Sequence, residues 1–249
     1  MSFSSDVKEE LINVYGQARH CQLAELDAIV HFAGKKGKTG ECFVIPVENE
    51  YASRKYFTLL KKTFNINSVN EKVIQALKLA RDENGDIVTG HASDARLLLK
   101  DCCRRSFLRG AFLASGSVSD PSKGYHLEYV CRDEEQVMQL TDILAGYGIE
   151  AHTVTRKHHR IVYIKEGESI VDLFNVMGAH TSLMNLENTR ILKEIGNKVN
   201  RRVNCETANI AKTVSAASKQ LSDIEYLRDH YGLNKLPGRL QDAANARLM

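Results

Sequence analysis

Apolar and polar positions alternate along this chain in two rhythms, one helical and one extended. The opening, MSFSSDVKEELINVYGQ, places apolar side chains on one helical face behind a Ser/Asp cap and predicts an amphipathic helix. Two later stretches, CQLAELDAIVHFAG (21–34) and RRSFLRGAFLASG (104–116), are apolar, contain small residues and end on glycine. After each glycine the pattern predicts a short polar turn and a strand, ECFVIPVE from Glu41 and YHLEYVCR from Tyr125. An amphipathic helix follows each strand, SRKYFTLLKKTFNI in one case and DEEQVMQLTDILAGYGI in the other. Gly34 stands 32 residues before Ile66, and Gly116 stands 33 before Ile149. The shared order and nearly equal lengths identify an internal repeat.

The second copy continues into a hairpin around RKHHR, with strands expected at 149–155 and 160–165, and then a helix, GESIVDLFNVMGA. The first copy is less regular. Residues 67–100 read as mostly helical with a turn at Asn84-Gly85, so any matching hairpin there is short or eroded. Each half, about 1–100 and 101–185, is thus expected to be α-β-β-α. Gly110 and Ala114 share a helix face, as do Ala24 and Ala28, so the two small-residue helices are expected to pair closely. The predicted class is α+β, with two pseudo-symmetric halves joining their strands into a saddle-shaped sheet, followed by a helical segment over 186–249.

Composition adds limits. The chain has 249 residues, enough for one large domain or two modest ones, and only 3 prolines, which argues against long disordered linkers. No apolar run is long enough to span a bilayer, and the opening helix lacks the apolar core of a signal peptide. A cytoplasmic, nucleoid-associated protein without membrane partners is expected. The cysteines show no paired CxxC spacing, which argues against a structural zinc site; adjacent Cys102-Cys103 reads as buried thiols at a helix start.

Charge changes the picture more. The net charge is +3, but residues 151–165 carry +4 without an acid and residues 190–220 carry +5, leaving −6 for the rest. Concentrated positive charge is how an anion-binding surface shows itself in sequence. In the hairpin, Arg156, Lys157 and Arg160 are candidates for phosphate contacts, and His158 and His159 for base edges or for capping the turn. His152, His158 and His159 have no nearby acid or cysteine to complete a metal site, so a solvated basic hairpin is expected. In the second segment, expected to be a helix that breaks near NRRVNC and restarts at CETAN, the candidates are Arg201, Arg202, Asn204, Asn209 and Lys212. No phosphate-binding glycine loop, dinucleotide fingerprint or Ser/His/Asp set is present, and no cofactor is expected.

The helix–Gly–turn–strand repeat resembles the LAGLIDADG homing endonucleases, in which two such helices form the central interface. Two longer stretches, CCRRSFLRGAFLASGSVSDPSKGYHLEYV and LMNLENTRILKEIGNKVNRRVNCETANIAKTVSAA, resemble signature segments of the WhiA family of bacterial regulators, as do FSSDVKEEL and LPGRLQDAANARL. That family joins a LAGLIDADG-like domain to a carboxy-terminal helix-turn-helix. The resemblance covers essentially the whole chain, most loosely between Phe64 and Lys100. It implies a DNA-binding transcriptional regulator concerned with cell division, chromosome segregation or sporulation, with double-stranded DNA and other transcription regulators as partners.

LAGLIDADG cleavage needs a carboxylate immediately before each terminal glycine, holding divalent metal at the scissile phosphates. Ala33 and Ser115 occupy those positions, so both sites are vacant. Asp27, Glu41 and Asp120 are the nearest acids and none stands at a tip. A non-catalytic protein, monomeric with internal pseudo-twofold symmetry, is expected. The alternatives are a protein-interaction module built on the degenerate saddle, and an endonuclease with replacement ligands. Beyond residue 220 the chain reads as a helix to His230, a loop containing Leu236-Pro237-Gly238 and one further helix, which leaves no successor helix to complete a helix-turn-helix.

Overall fold

A computed structural model describes residues 2–37, 43–69, 71–157 and 159–248. Its contacts cluster into two compact units, Met1–Arg190 and Ile191–Met249. The first unit opens with α1 (Phe3–Ile12), whose N-terminal turn is capped by the Ser2 hydroxyl accepting from the Ser5 N–H at 3.1 Å. Then come α2 (Arg19–Ala33), β1 (Lys35–Lys36), β2 (Phe43–Val44), α3 (Glu50–Phe64) and the short α4 (Glu71–Ala76). The second half runs α5 (Asp101–Ser115), β3 (Gly116–Val118), β4 (Leu127–Cys131), α6 (Glu134–Ala145), β5 (His152–Arg156), β6 (His159–Ile164) and α7 (Gly167–Met177). α8 (His180–His230) runs from the first unit into the second, which ends with a 3-10 turn at Leu233–Lys235 and α9 (Gly238–Leu248).

The paired helices are α2 and α5, and among the described residues no other pair of elements packs as extensively. Every residue from Ala24 to Ala33 is buried, as is every residue from Ser106 to Ala114. That burial takes in the charged residues Glu25, Asp27 and Arg109, which must therefore find partners inside the protein. Gly110 sets the approach: a Cβ there would lie 2.5 Å from the Glu25 carbonyl oxygen and 3.0 Å from the Ala28 Cβ. The terminal glycines also serve space rather than a left-handed turn. Gly34 and Gly116 have φ of −63° and −79°, and a Cβ on either would meet its own helix at 2.3 Å, at the Val30 carbonyl and the Phe112 ring.

The class is α+β with small antiparallel sheets, and here the expectation is corrected in detail. Among the described residues the strands form two separate sheets: β1-β2, and the four-stranded β3-β4-β6-β5. The halves are unequal. Where the second has the β5-β6 hairpin, the first has, among the described residues, one isolated bridge, Arg81 to Ile87, closed around Gly85 at φ +80°. Residues 67–100 are therefore not mostly helical. Lys78 at φ +54° follows the six-residue α4, and the Asp82 carboxylate accepts the N–H groups of Asn84 and Asp86 to form a turn instead. The expected break near NRRVNC is also corrected, since α8 is helical throughout. Residues 197–206 contain neither glycine nor proline to interrupt it.

Candidate nucleic-acid interface

Cleavage chemistry would sit at the tips of the central helices. Ala33 is the last residue of α2 and Ser115 the last of α5; the Ser115 hydroxyl donates back to the Ala111 carbonyl at 3.3 Å. Asp27 is fully buried and faces its own helix neighbour, with its carboxylate 3.5 Å from His31 Nε2. Asp120 holds a turn, accepting the Ser122 N–H at 2.8 Å. Glu41 lies outside the described residues. No replacement acid is brought to either tip by Asp27 or Asp120.

Register separates the basic hairpin residues. One face of the four-stranded sheet carries Leu127, Tyr129, Cys131, Val162 and Ile164, all buried in the core. Arg160 pairs with Cys131 and Thr155, so its Cα belongs to that inner row, and its guanidinium reaches the Glu134 carboxylate at the start of α6 at 2.7 Å. Arg156 pairs with His159 on the outer row, with His152 and Tyr163. It is 63% exposed and 4.0 Å from Glu128. Tyr163 carries a histidine ring on each side, His126 at 5.6 Å and His152 at 5.5 Å, with the Lys165 ammonium 5.0 Å from the ring centre. Every residue of β5 is exposed. Lys157 turns the hairpin at φ +55° and is exposed. His158 lies outside the described residues.

The second basic segment gains order from helix geometry. At about 100° per residue, Arg201, Arg202, Asn204, Asn209 and Lys212 fall within an arc of about 160° on α8. Arg190, Lys193, Lys198 and Lys219 project within the same half of the helix, with Glu194 the acid among them. Opposite them runs an exposed apolar stripe, Leu192, Val199, Val203, Ile210, Val214 and Leu221. All five candidates are exposed, and Arg202 forms an ion pair with Glu206 at 2.9 Å, one turn along the same helix. A helix with one cationic half presents several donors to one phosphate backbone at once. In the second unit α9 packs back through Leu240 and Ala244 toward Ile224, Leu227, Leu233 and Leu236 around an apolar cleft.

Two clusters escaped the sequence. Glu25, Lys55 and Arg109 form a buried ion network at the helix pair. His20 and Cys21 on α2 meet Cys102 and Cys103 on α5. Cys103 is buried as expected for a thiol at a helix start, whereas Cys102 is exposed. Burial and the adjacent thiols push Cys21 up to about 12. The only sequence signal was positional: His20 and Cys102 each stand 14 residues before the terminal glycine of their helix.

Comparison with known proteins agrees with this architecture. The family model described as the WhiA LAGLIDADG-like domain matches residues 104–196, and the WhiA C-terminal HTH domain matches residues 199–249. The second match corrects the expectation that no segment here serves as the helix-turn-helix. That stretch covers residues 199–230 of α8, the 3-10 turn and α9. The crystal structure of full-length DUF199/WhiA from Thermatoga maritima is similar at a TM-score of 0.68 and 25% identity, covering all of this chain and 87% of that one. The probable cell division protein WhiA of Lachnoclostridium phytofermentans is 45% identical, over all of this chain and 88% of its own length. That of Clostridium novyi is 38% identical, over all of this chain and 87% of its own length. At these identities and coverages, the chain belongs to the WhiA family.

Proposed function

We propose that this protein is a non-catalytic, DNA-binding transcriptional regulator acting in cell division, with chromosome segregation or sporulation control within its range. The observation that carries the reading is the cationic half of α8, which lies largely within the stretch matched by the family's helix-turn-helix model. Relatives named as probable cell division proteins supply the physiological direction. In this reading residues 1–185 are a degenerate LAGLIDADG-like body that keeps the helix pairing and lacks the two tip carboxylates. Residues 186–249 supply the principal contact with double-stranded DNA, in a monomer located in the cytoplasm at the nucleoid. Other transcription regulators are its further partners.

The test is binding to duplex DNA across a salt series. Removing one phosphate-binding cation should flatten the log–log slope by somewhat less than one unit. Arg201→Ala with Arg202→Ala should weaken binding and flatten the slope by about one to two units. Arg156→Ala with Lys157→Ala should flatten it further if the outer sheet face also meets DNA. Arg160→Ala should do less, because Arg160 is engaged with Glu134 on the other row. A slope unchanged by the α8 pair would sink this reading and favour the saddle as a protein-interaction surface.

A further inference from the structure

The first turns of the two central helices are built alike. The Cys21 N–H reaches the Ala18 carbonyl at 3.0 Å and the Cys103 N–H reaches the Lys100 carbonyl at 3.0 Å. The next residue in each, Gln22 or Arg104, reaches the same carbonyl at 3.2 Å. Neither Ala18 nor Lys100 supplies a side-chain cap. Equal positions of the repeat therefore face one another, and each helix delivers two adjacent side chains to one point. His20 Nδ1 lies 3.3 Å from Cys21 Sγ, 3.2 Å from Cys103 Sγ and 3.9 Å from Cys102 Sγ. The four donor atoms all lie within 4.8 Å of one another.

We propose that His20, Cys21, Cys102 and Cys103 form a tetrahedral zinc site that staples α2 to α5 at their N-terminal ends. Zinc–sulfur and zinc–nitrogen bonds of about 2.3 Å and 2.0–2.1 Å put tetrahedral N and S donors about 3.6 Å apart. The three nitrogen–sulfur distances bracket that value. One imidazole and three thiolates make a closed set of the structural kind, with no position left for a reacting water. Binding releases three thiol protons to solvent and leaves a net −1 centre, with Arg105 lining the cleft beside it. That cleft also reaches Gln17 and His180 and gives a metal ion a way in to half-buried His20 and exposed Cys102. CxxC spacing never had to be present, because each half of the repeat contributes one adjacent pair.

The full chain, purified under reducing conditions and loaded with zinc chloride or cobalt chloride, tests this. We expect about one zinc per chain by mass spectrometry of the metal. Cobalt should give the intense visible bands and the thiolate charge-transfer band of a tetrahedral thiolate site. The melting temperature should rise with zinc and fall with chelator. Cys102→Ser changes an exposed residue, so folding should survive, and zinc affinity should fall about tenfold or more. His20→Gln should do the same, while Cys205→Ser on α8 should change nothing. A weak octahedral cobalt spectrum, substoichiometric zinc, or Cys102→Ser and His20→Gln proteins that hold zinc as tightly as the parent would overturn the proposal. So would a Cys21 disulfide to Cys102 or Cys103 in protein that takes up no zinc after reduction.

Discussion

Arg109 on α5 grips Glu25 on α2 with two parallel hydrogen bonds, Nε to Oε1 at 2.8 Å and Nη2 to Oε2 at 3.0 Å. The pair is almost wholly buried and crosses the interface between the repeat halves. Lys55 of α3 comes within 3.2 Å of the same carboxylate and donates to the Leu11, Ile12 and Val14 carbonyls. Arg109 also donates to the Met177 carbonyl and the Ser106 hydroxyl. Helices α1, α2, α3, α5 and α7 are thereby tied to one carboxylate. Arg109→Met removes one partner and leaves the Met177 carbonyl without its guanidinium donor. It should destabilise the protein by about 3–5 kcal/mol, read from urea unfolding. An effect below about 1 kcal/mol, the range of exposed pairs, would show that the network is not desolvated in solution.

Gly110 should tolerate no larger residue. In an exposed helix Gly→Ala gains about 1 kcal/mol. Here the added Cβ would be driven to 2.5 Å from the Glu25 carbonyl, so Gly110→Ala should be destabilising despite the propensity gain. Gly110→Leu should cost about 1–3 kcal/mol or more by overpacking. A more stable Gly110→Ala protein in thermal melts would mean that α2 and α5 do not pack as described.

Purified protein should leave supercoiled plasmid uncut in Mg²⁺ or Mn²⁺. Ala33 offers no ligand, and the Ser115 hydroxyl is turned back onto its own helix. Metal-dependent nicking that disappears on changing Asp27, Glu41 or Asp120 would show that another acid serves the site.

Lys8 provides a pH-dependent signature. Burial pulls its amine from the usual 10.5 down to about 8, and its ammonium sits 5.8 Å from the centre of the Phe112 ring. Below about pH 8 the group is charged in both folded and unfolded chains, and folding bears the desolvation cost. Between about 8 and 10.5 only the unfolded chain binds the proton, so stability rises with pH across that window. Lys8→Met lacks this term. It should be more stable than the parent by on the order of 1–3 kcal/mol near neutrality, with the gap closing toward pH 10.5. Urea midpoints of both proteins at pH 7.5 and pH 10 measure it, and a gap that widens with pH would refute the assignment.

Local pattern alone determined much of this protein. Period and capping located α1, α2, α3, α5, α6 and α7, because each signal lies within a few residues of its effect. Small residues at Gly110, Ala24 and Ala28 announced the helix pair, and Ala33 and Ser115 removed the tip carboxylates whatever the fold. The cationic half of α8 was already present as a charge excess over 190–220. Tertiary structure decided what depends on pairing between distant segments. Register alone placed Arg156 on the outer row and Arg160 on the inner one, since shifting a strand by one residue exchanges its faces. Burial of Glu25, Lys55 and Arg109 was hidden because a charged residue within an apolar helix reads the same whether it meets water or a counter-charge. His20 and Cys21 reach Cys102 and Cys103 only because α2 and α5 pack against each other along their length. They stand 81 residues and more apart along the chain, and only their matching places in the two helices hinted that His20 lies under 4 Å from Cys102 and Cys103.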